Sequence, residues 1–331
     1  MILREFLYVD TDKVRAMLAQ LDGGIAEEER ETSREEKKNT VGPRSVVQHL
    51  QTTGTERYMQ KSMGDALFPM LEDALESESL IRDISTEVAD ISRWESGEIK
   101  ELAPPGSLVR ITAKGSLFDT RYAANTFAAF ASVNVGIQGL GVTPEMPGNR
   151  PPPKKGKPTQ PQLRSQGATQ ATPQLEDAIM DFRDLNGIDG NTLRSMIRMA
   201  RGIFAPGLHL NLTPVNSGDV LIGSRLQEGR QYLDTEADIL FARYGTEKQD
   251  WTLVGSVGSY GPKNTQLPDF NFTDAGGFLN RARFADALNG FMRNLGGMGF
   301  IDLPQYPGFS LIPFAVYRAI PRGSMLTSRD Q

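Results

Sequence analysis

The chain has 331 residues, no cysteine, two histidines and a net charge of −5 from 36 basic and 41 acidic side chains. Without cysteine, disulfides, zinc–thiolate sites, iron–sulfur clusters and thiol nucleophiles are excluded. The acidic balance argues against a chain whose main task is to coat nucleic acid, and no run approaches the roughly 20 apolar residues of a membrane-spanning helix.

The chain opens with a strand, Phe6 to Val9, which ends in Asp10-Thr11-Asp12 and turns into a helix through Leu21. Val14, Met17, Leu18 and Leu21 fall at i, i+3, i+4 and i+7, the spacing of one buried stripe. Asp10 or Thr11 is placed to accept a hydrogen bond from a free N–H of the first turn. The same junction recurs at Leu117-Phe118-Asp119-Thr120 and at Tyr232-Leu233-Asp234-Thr235. The match is so short that common capping chemistry explains it better than an internal duplication.

A charged run, Glu27 to Lys38, reads as a solvated surface loop or as a docking segment for a basic partner. Tyr58 to Leu80 is helical, with Met59, Met63, Leu67, Met70, Leu71 and Leu75 on an inward stripe. Pro69 must kink that helix or start a new one. Leu108 to Leu117 alternates, Val109, Ile111 and Ala113 on one face and Arg110, Thr112 and Lys114 on the other, which predicts a half-buried strand. A helix carrying Tyr122, Phe127 and Phe130 follows.

Val142 to Pro173 is rich in Pro, Gly, Gln, Ser and Thr, and its composition predicts disorder. Helices are expected up to Leu185 and from Asn191 to Phe204. Leu208, Leu210 and Leu212 alternate with polar residues, and Asn216-Ser217-Gly218-Asp219 turns the chain into Val220 to Leu226, a hairpin signal. Asp234-Thr235 is expected to cap a helix striped by Ala237, Leu240, Phe241 and Tyr244. Trp251 to Tyr260 reads as a strand. Thr273-Asp274 is expected to open the last helix, with Phe284, Leu288, Phe291, Met292 and Leu295 inward, before a final strand from Phe309 to Arg318.

These elements predict an α+β fold: mixed, largely antiparallel sheet with strand–helix units and helices packed on one face. They divide the chain into an N-terminal lobe, residues 1–141, with a charged loop at 26–56, a Pro-rich linker at 142–173, and a C-terminal lobe at 174–331 that could share one core with the first.

Phe6-Leu7-Tyr8-Val9-Asp10, followed by Leu18-Ala19-Gln20-Leu21 and Gly23-Gly24, resembles the opening of an uncharacterised bacterial domain-of-unknown-function family. Gly106 to Ile111, Leu240 to Gly245 with Trp251 to Gly255, and Ile312 to Arg318 are similar to its middle strand, later helix–strand pair and closing strand. The order of these short motifs along the chain carries the resemblance. It implies no activity, cofactor or site residue. Association alone extends it to phage defence or mobile elements.

Candidate chemistry is sparse. The two histidines, His49 and His209, lack ligand spacing. No nucleophile elbow or phosphate-binding glycine loop is present, so no cofactor or metal is expected. Asp10, Asp119 and Asp234 sit at strand ends, where carboxylates serve either as helix caps or as a metal-dependent phosphohydrolase or nuclease site. Arg194, Arg198 and Arg201 form a stripe suited to an anionic ligand such as a nucleotide, or to the negative end of their own helix. Lys154, Lys155 and Lys157 in the linker could meet an acidic partner. The reading these features favour is a soluble, cytoplasmic, non-enzymatic interaction or regulatory protein. It would act through a protein partner or as a homo-oligomer, apart from membranes and with nucleic acid an unfavoured partner. The phosphohydrolase and the anion sensor stand as alternatives.

Overall fold

The computed structural model describes residues 3–21, 56–140, 189–263, 268, 271–274 and 276–320. The charged run Glu27 to Lys38, the Pro-rich segment Val142 to Pro173 with Lys154, Lys155 and Lys157, and the helix expected up to Leu185 lie outside them.

Five strands close into a small barrel. β3 (Leu108–Phe118) pairs antiparallel with β4 (His209–Leu212), and β4 with β5 (Ile222–Arg225). β5 pairs parallel with β7 (Phe309–Ala319), β7 antiparallel with β6 (Gln249–Tyr260), and β6 antiparallel with β3. The ring therefore runs β3-β4-β5-β7-β6 and back to β3. With one parallel pair and a helix, α8 (Ala237–Tyr244), between β5 and β6, this is the connectivity of the OB-type Greek-key barrel. Closure removes the exposed edges that an open sheet would present.

Two further strands extend the ring. β1 (Arg4–Val9) pairs antiparallel with the end of β7, from Arg4↔Ala319 to Val9↔Ala315. β2 (Ile81–Asp83) pairs parallel with the start of β3. The fold is α+β with a mixed, mostly antiparallel sheet. In the alternation expected for β3, Val109 and Ile111 are buried and Ala113 partly buried, while Thr112 and Lys114 are exposed.

Helices α1 (Thr11–Leu21) and α2 (Glu56–Ser77) cover one outer face. Val14, Phe68, Leu71 and Leu75 pack there on Val9, Val254, Phe314, Ala315 and Tyr317, with Met17, Leu18 and Leu21 alongside. Each fully buried side chain of this size stabilises by about 1.5–3 kcal/mol. α2 is one element with Pro69 inside it, so Pro69 does not start a new helix. One expectation for α2 changes. Met70 is exposed rather than on the inward stripe, which Phe68, Leu71 and Leu75 define.

One compact unit comprises residues 1–119 and 203–331, and a second comprises 120–202. Strands from both sequence halves are neighbours in one barrel, so hydrogen bonding unites what the linker separates. The second unit holds α6 (Thr120–Gly139) and most of α7 (Gly190–Ile203). Its core is Ala124, Ala131, Leu193 and Ile197, with Phe127 against them.

The three strand–helix junctions diverge in detail. Asp10 caps α1: its Oδ1 accepts from the Lys13 backbone N–H at 3.0 Å. Asp234 does not cap α8, which begins at Ala237 after Glu236 with no side-chain cap. Nor does Thr273-Asp274 open the last helix. That helix, α9 (Arg281–Gly297), is capped by Asn280, whose side chain accepts from the Ala282 and Arg283 N–H groups. Its expected inward stripe faces solvent. Phe284, Leu288, Phe291 and Met292 are exposed, and Ala287, Gly290 and Asn294 are buried instead.

Candidate functional site

Three segments of the first compact unit wall a cavity of about 600 Å³, with Arg293 of α9 completing it. The first wall is the turn between α4 (Ile91–Ser96) and α5 (Glu98–Leu102). The second is the end of β6 and the residues after it, Ser259 to Lys263. The third is the loop from Leu303 to Pro307 that leads into β7.

Local chemistry sets each wall. Asp90 caps α4 by accepting from the Ser92 N–H and hydroxyl, and these bonds hold its carboxyl below the usual range. Gly97 ends α4 at φ +84°, a left-handed conformation that strains any residue with a Cβ. That turn places Glu95 and Lys100 on the cavity. Trp94 is buried behind them, its indole N–H donating to the Val88 carbonyl at 2.9 Å and its ring stacked on Phe309 at 5.6 Å. Tyr260 sends its hydroxyl inward, donating to the Ala103 carbonyl at 2.7 Å, and burial pushes its phenol pKa up.

Gly261 lets the second and third walls meet. Its N–H donates to the Gly308 carbonyl at 2.9 Å. A Cβ built on it would lie 2.1 Å from the Gln305 carbonyl carbon and 2.2 Å from the Tyr306 nitrogen. Only glycine permits that approach without moving backbone. The cavity is therefore formed by the fold itself.

The electrostatics of this cavity are unusual for an acidic chain. Lys100, Lys263 and Arg293 line it, and none of the three is paired with a carboxylate among the described residues. The lysines instead stand over aromatic rings: Lys100 Nζ is 5.9 Å from the Tyr260 centroid, and Lys263 Nζ 5.7 Å from that of Tyr306. Several other cations in this unit are paired, Arg4 and Arg110 with Glu72, Lys13 with Asp10 and Arg318 with Glu5. With Glu95 the one carboxylate on the lining among the described residues, the described lining is net positive.

The residues expected from sequence lie elsewhere. Asp10 is buried, bonded to the Lys13 backbone and ammonium and accepting from the Tyr8 hydroxyl at 3.3 Å. Asp234 donates its N–H to the Leu7 carbonyl, and its carboxylate pairs with Arg243 at 2.5 Å. Asp119 is buried beyond the end of β3. The register carries Asp10 from Phe314 of β7, across β6, to the start of β3, so Asp119 lies a strand's length from it. The three carboxylates do not converge. Among the described residues no group of three or more His, Asp or Glu could hold a metal ion. Arg194 is bound to its own helix, through the Gly190 carbonyl and Asn191 side chain, while Arg198 and Arg201 are exposed in the same helix.

His209 makes two bonds, Nδ1 to the Gly207 carbonyl at 2.9 Å and Nε2 to Asp302 at 3.1 Å. The latter holds the Asp302 carboxyl below its ordinary range. The pair ties the loop after α9 to β4. Sequence reading passed over the cavity residues, although Gly261-Pro262-Lys263 and Pro304-Gln305-Tyr306-Pro307 carry turn signals with a cation or an aromatic inside them.

Among the described residues, no helix is long and apolar enough to cross a membrane. No curated protein and no solved structure matches the chain. The family described as a domain of unknown function, DUF6414, matches residues 3–317, and the chain belongs to it.

Proposed function

We propose that this protein works by recognition rather than turnover, and that it holds an anionic ligand in the cavity between the β6 end, the α4–α5 turn and the Leu303–Pro307 loop. The observation that carries this reading is the convergence of Lys100, Lys263 and Arg293, none of them paired with a carboxylate among the described residues. Charge-assisted hydrogen bonds from such donors to phosphate or carboxylate oxygens are the strong ones. A cavity of this size lies within the roughly 300–1,000 Å³ typical of small-molecule sites. The anion sensor expected from the Arg194 stripe thus moves to a different set of cations. OB-type barrels bind polyanions often enough to agree with the reading, but fold alone assigns no function.

Binding would be relayed to a protein partner, the bacterial interaction role drawn from the sequence. The exposed apolar residues Phe284, Leu288, Phe291 and Met292 on α9 support this, because Arg293 of the same helix lines the cavity.

Calorimetric titration with pyrophosphate at low salt tests the anion site. Saturable binding that weakens as salt rises and disappears in the Lys100→Ala/Lys263→Ala/Arg293→Ala variant is the expected result. Absence of binding in the wild type rejects the reading.

A further inference from the structure

The anion reading leaves two features of the cavity unexplained. Two tyrosines, Tyr260 and Tyr306, stand on its walls, and one carboxylate among the described residues, Glu95, lines it with the cations. For a bare oxyanion both would be disadvantages: flat apolar walls offer it no hydrogen bonds, and Glu95 repels it. The cavity is also too large. A water molecule takes about 30 Å³ of liquid, and inorganic phosphate a few times that, against about 600 Å³ here.

We infer that the ligand is a nucleotide, a planar amino-bearing base joined to phosphate; this rests on the anion site proposed above. The base stacks on Tyr306, a residue that is 42% exposed. The phosphate lies on Lys100, Lys263 and Arg293. Glu95 accepts from the exocyclic amino group, which adenine, guanine and cytosine present and uracil lacks.

Lys263 stands over Tyr306 and Lys100 over Tyr260, and among the described residues neither is paired with a carboxylate. Such contacts are weak at exposed sites. A nucleotide satisfies both partners at once: its base takes the face of Tyr306, and its phosphate takes the ammonium that leaves it. A ligand with only one of the two groups leaves a lysine or a ring unsatisfied. Selectivity for the joined pair follows from that exchange.

The source of this chemistry is either a free nucleotide or the end of a single strand. The cavity carries the cations for one phosphate group or chain and the lining for one base, which favours the free nucleotide.

Titrations of the whole chain with ATP, GTP, UTP, pyrophosphate and a short single-stranded oligonucleotide separate the outcomes. The inference expects ATP or GTP to bind at least about tenfold more tightly than pyrophosphate, as one stacked base is worth about that factor. Tyr306→Leu should erase the advantage while leaving pyrophosphate binding intact, and Tyr306→Phe should keep it. Glu95→Gln should narrow the gap between ATP or GTP and UTP. Unchanged thermal unfolding of each variant guards against misfolding. Tighter binding of the oligonucleotide than of ATP and GTP supports the base-and-phosphate chemistry and assigns its source to a strand. If pyrophosphate binds and nucleotides bind no better, the nucleotide inference fails and the anion site stands. If neither binds, the anion site fails too.

Discussion

Glu72 Oε1 on α2 lies 2.6 Å from Arg110 Nη2 on β3, and Glu72 is only 1% exposed. Arg4 of β1 approaches its other oxygen at 2.5 Å, and the Tyr317 hydroxyl of β7 donates to Oε1 at 3.2 Å. One carboxylate thus ties a helix to three strands. Removing one partner of a buried pair leaves the other charge uncompensated, at a cost of about 3–5 kcal/mol. Arg110 keeps Glu76 as a partner, so Glu72→Ala should lose up to that much in urea unfolding. A loss under about 1 kcal/mol would show that the network is solvated and only geometric.

Gly261→Ala should destabilise by about 1–3 kcal/mol, the range for overpacking. The added methyl meets backbone at Gln305 and Tyr306, which cannot rotate away as a side chain would. The same variant should weaken anion binding, because the Leu303–Pro307 wall must move. Stability and affinity equal to the wild type would contradict the close approach.

Asp10→Ala and Asp234→Ala should differ. Asp10 is a buried cap with an ammonium partner, and its loss should cost about 1–2 kcal/mol. Asp234 makes a partly exposed pair with Arg243, worth about 0–1 kcal/mol. Equal losses in chemical unfolding would mean that the third junction is capped after all.

Ser224 Oγ is buried with no hydrogen-bond partner among the described residues. Its position in β5 pairs with Leu210 of β4 and Leu311 of β7, a row of buried residues inside the barrel. A buried hydroxyl left unsatisfied costs about 1–3 kcal/mol. Ser224→Ala should therefore raise the unfolding midpoint. A lower midpoint would indicate that the hydroxyl has a partner in solution.

Burial pushes the phenols of Tyr244 and Tyr317 up to about 12, with Glu5 and Glu72 respectively adding to the effect. The folded chain then retains protons that the unfolded chain releases near pH 10. Stability is undiminished below pH 10 and falls as pH rises toward 12. A spectroscopic tyrosine titration should show these phenols ionising only as the chain unfolds. Ionisation near pH 10 with the fold intact would contradict their burial.

Local periodicity determined much of the framework by itself. The Val14–Leu21 stripe, the alternation of β3 and the β4–β5 hairpin each depend on contacts between near neighbours. The α+β class follows from them. Tertiary structure decided which stripe of a helix faces inward. On α9 the small residues are buried because a close approach requires them: a Cβ on Gly296 would meet Leu303 at 2.8 Å, and one on Gly290 would meet Pro268 at 3.0 Å. Large apolar residues on the opposite stripe carry the same period, so period alone cannot choose between them. Barrel closure rests on β5 meeting β7 in parallel, a pairing between segments far apart in sequence with no turn to announce it. The cavity is of the same kind. Its cations come from α5, the segment after β6 and α9, and each is an ordinary surface residue in its own segment until the closed barrel brings them around one space.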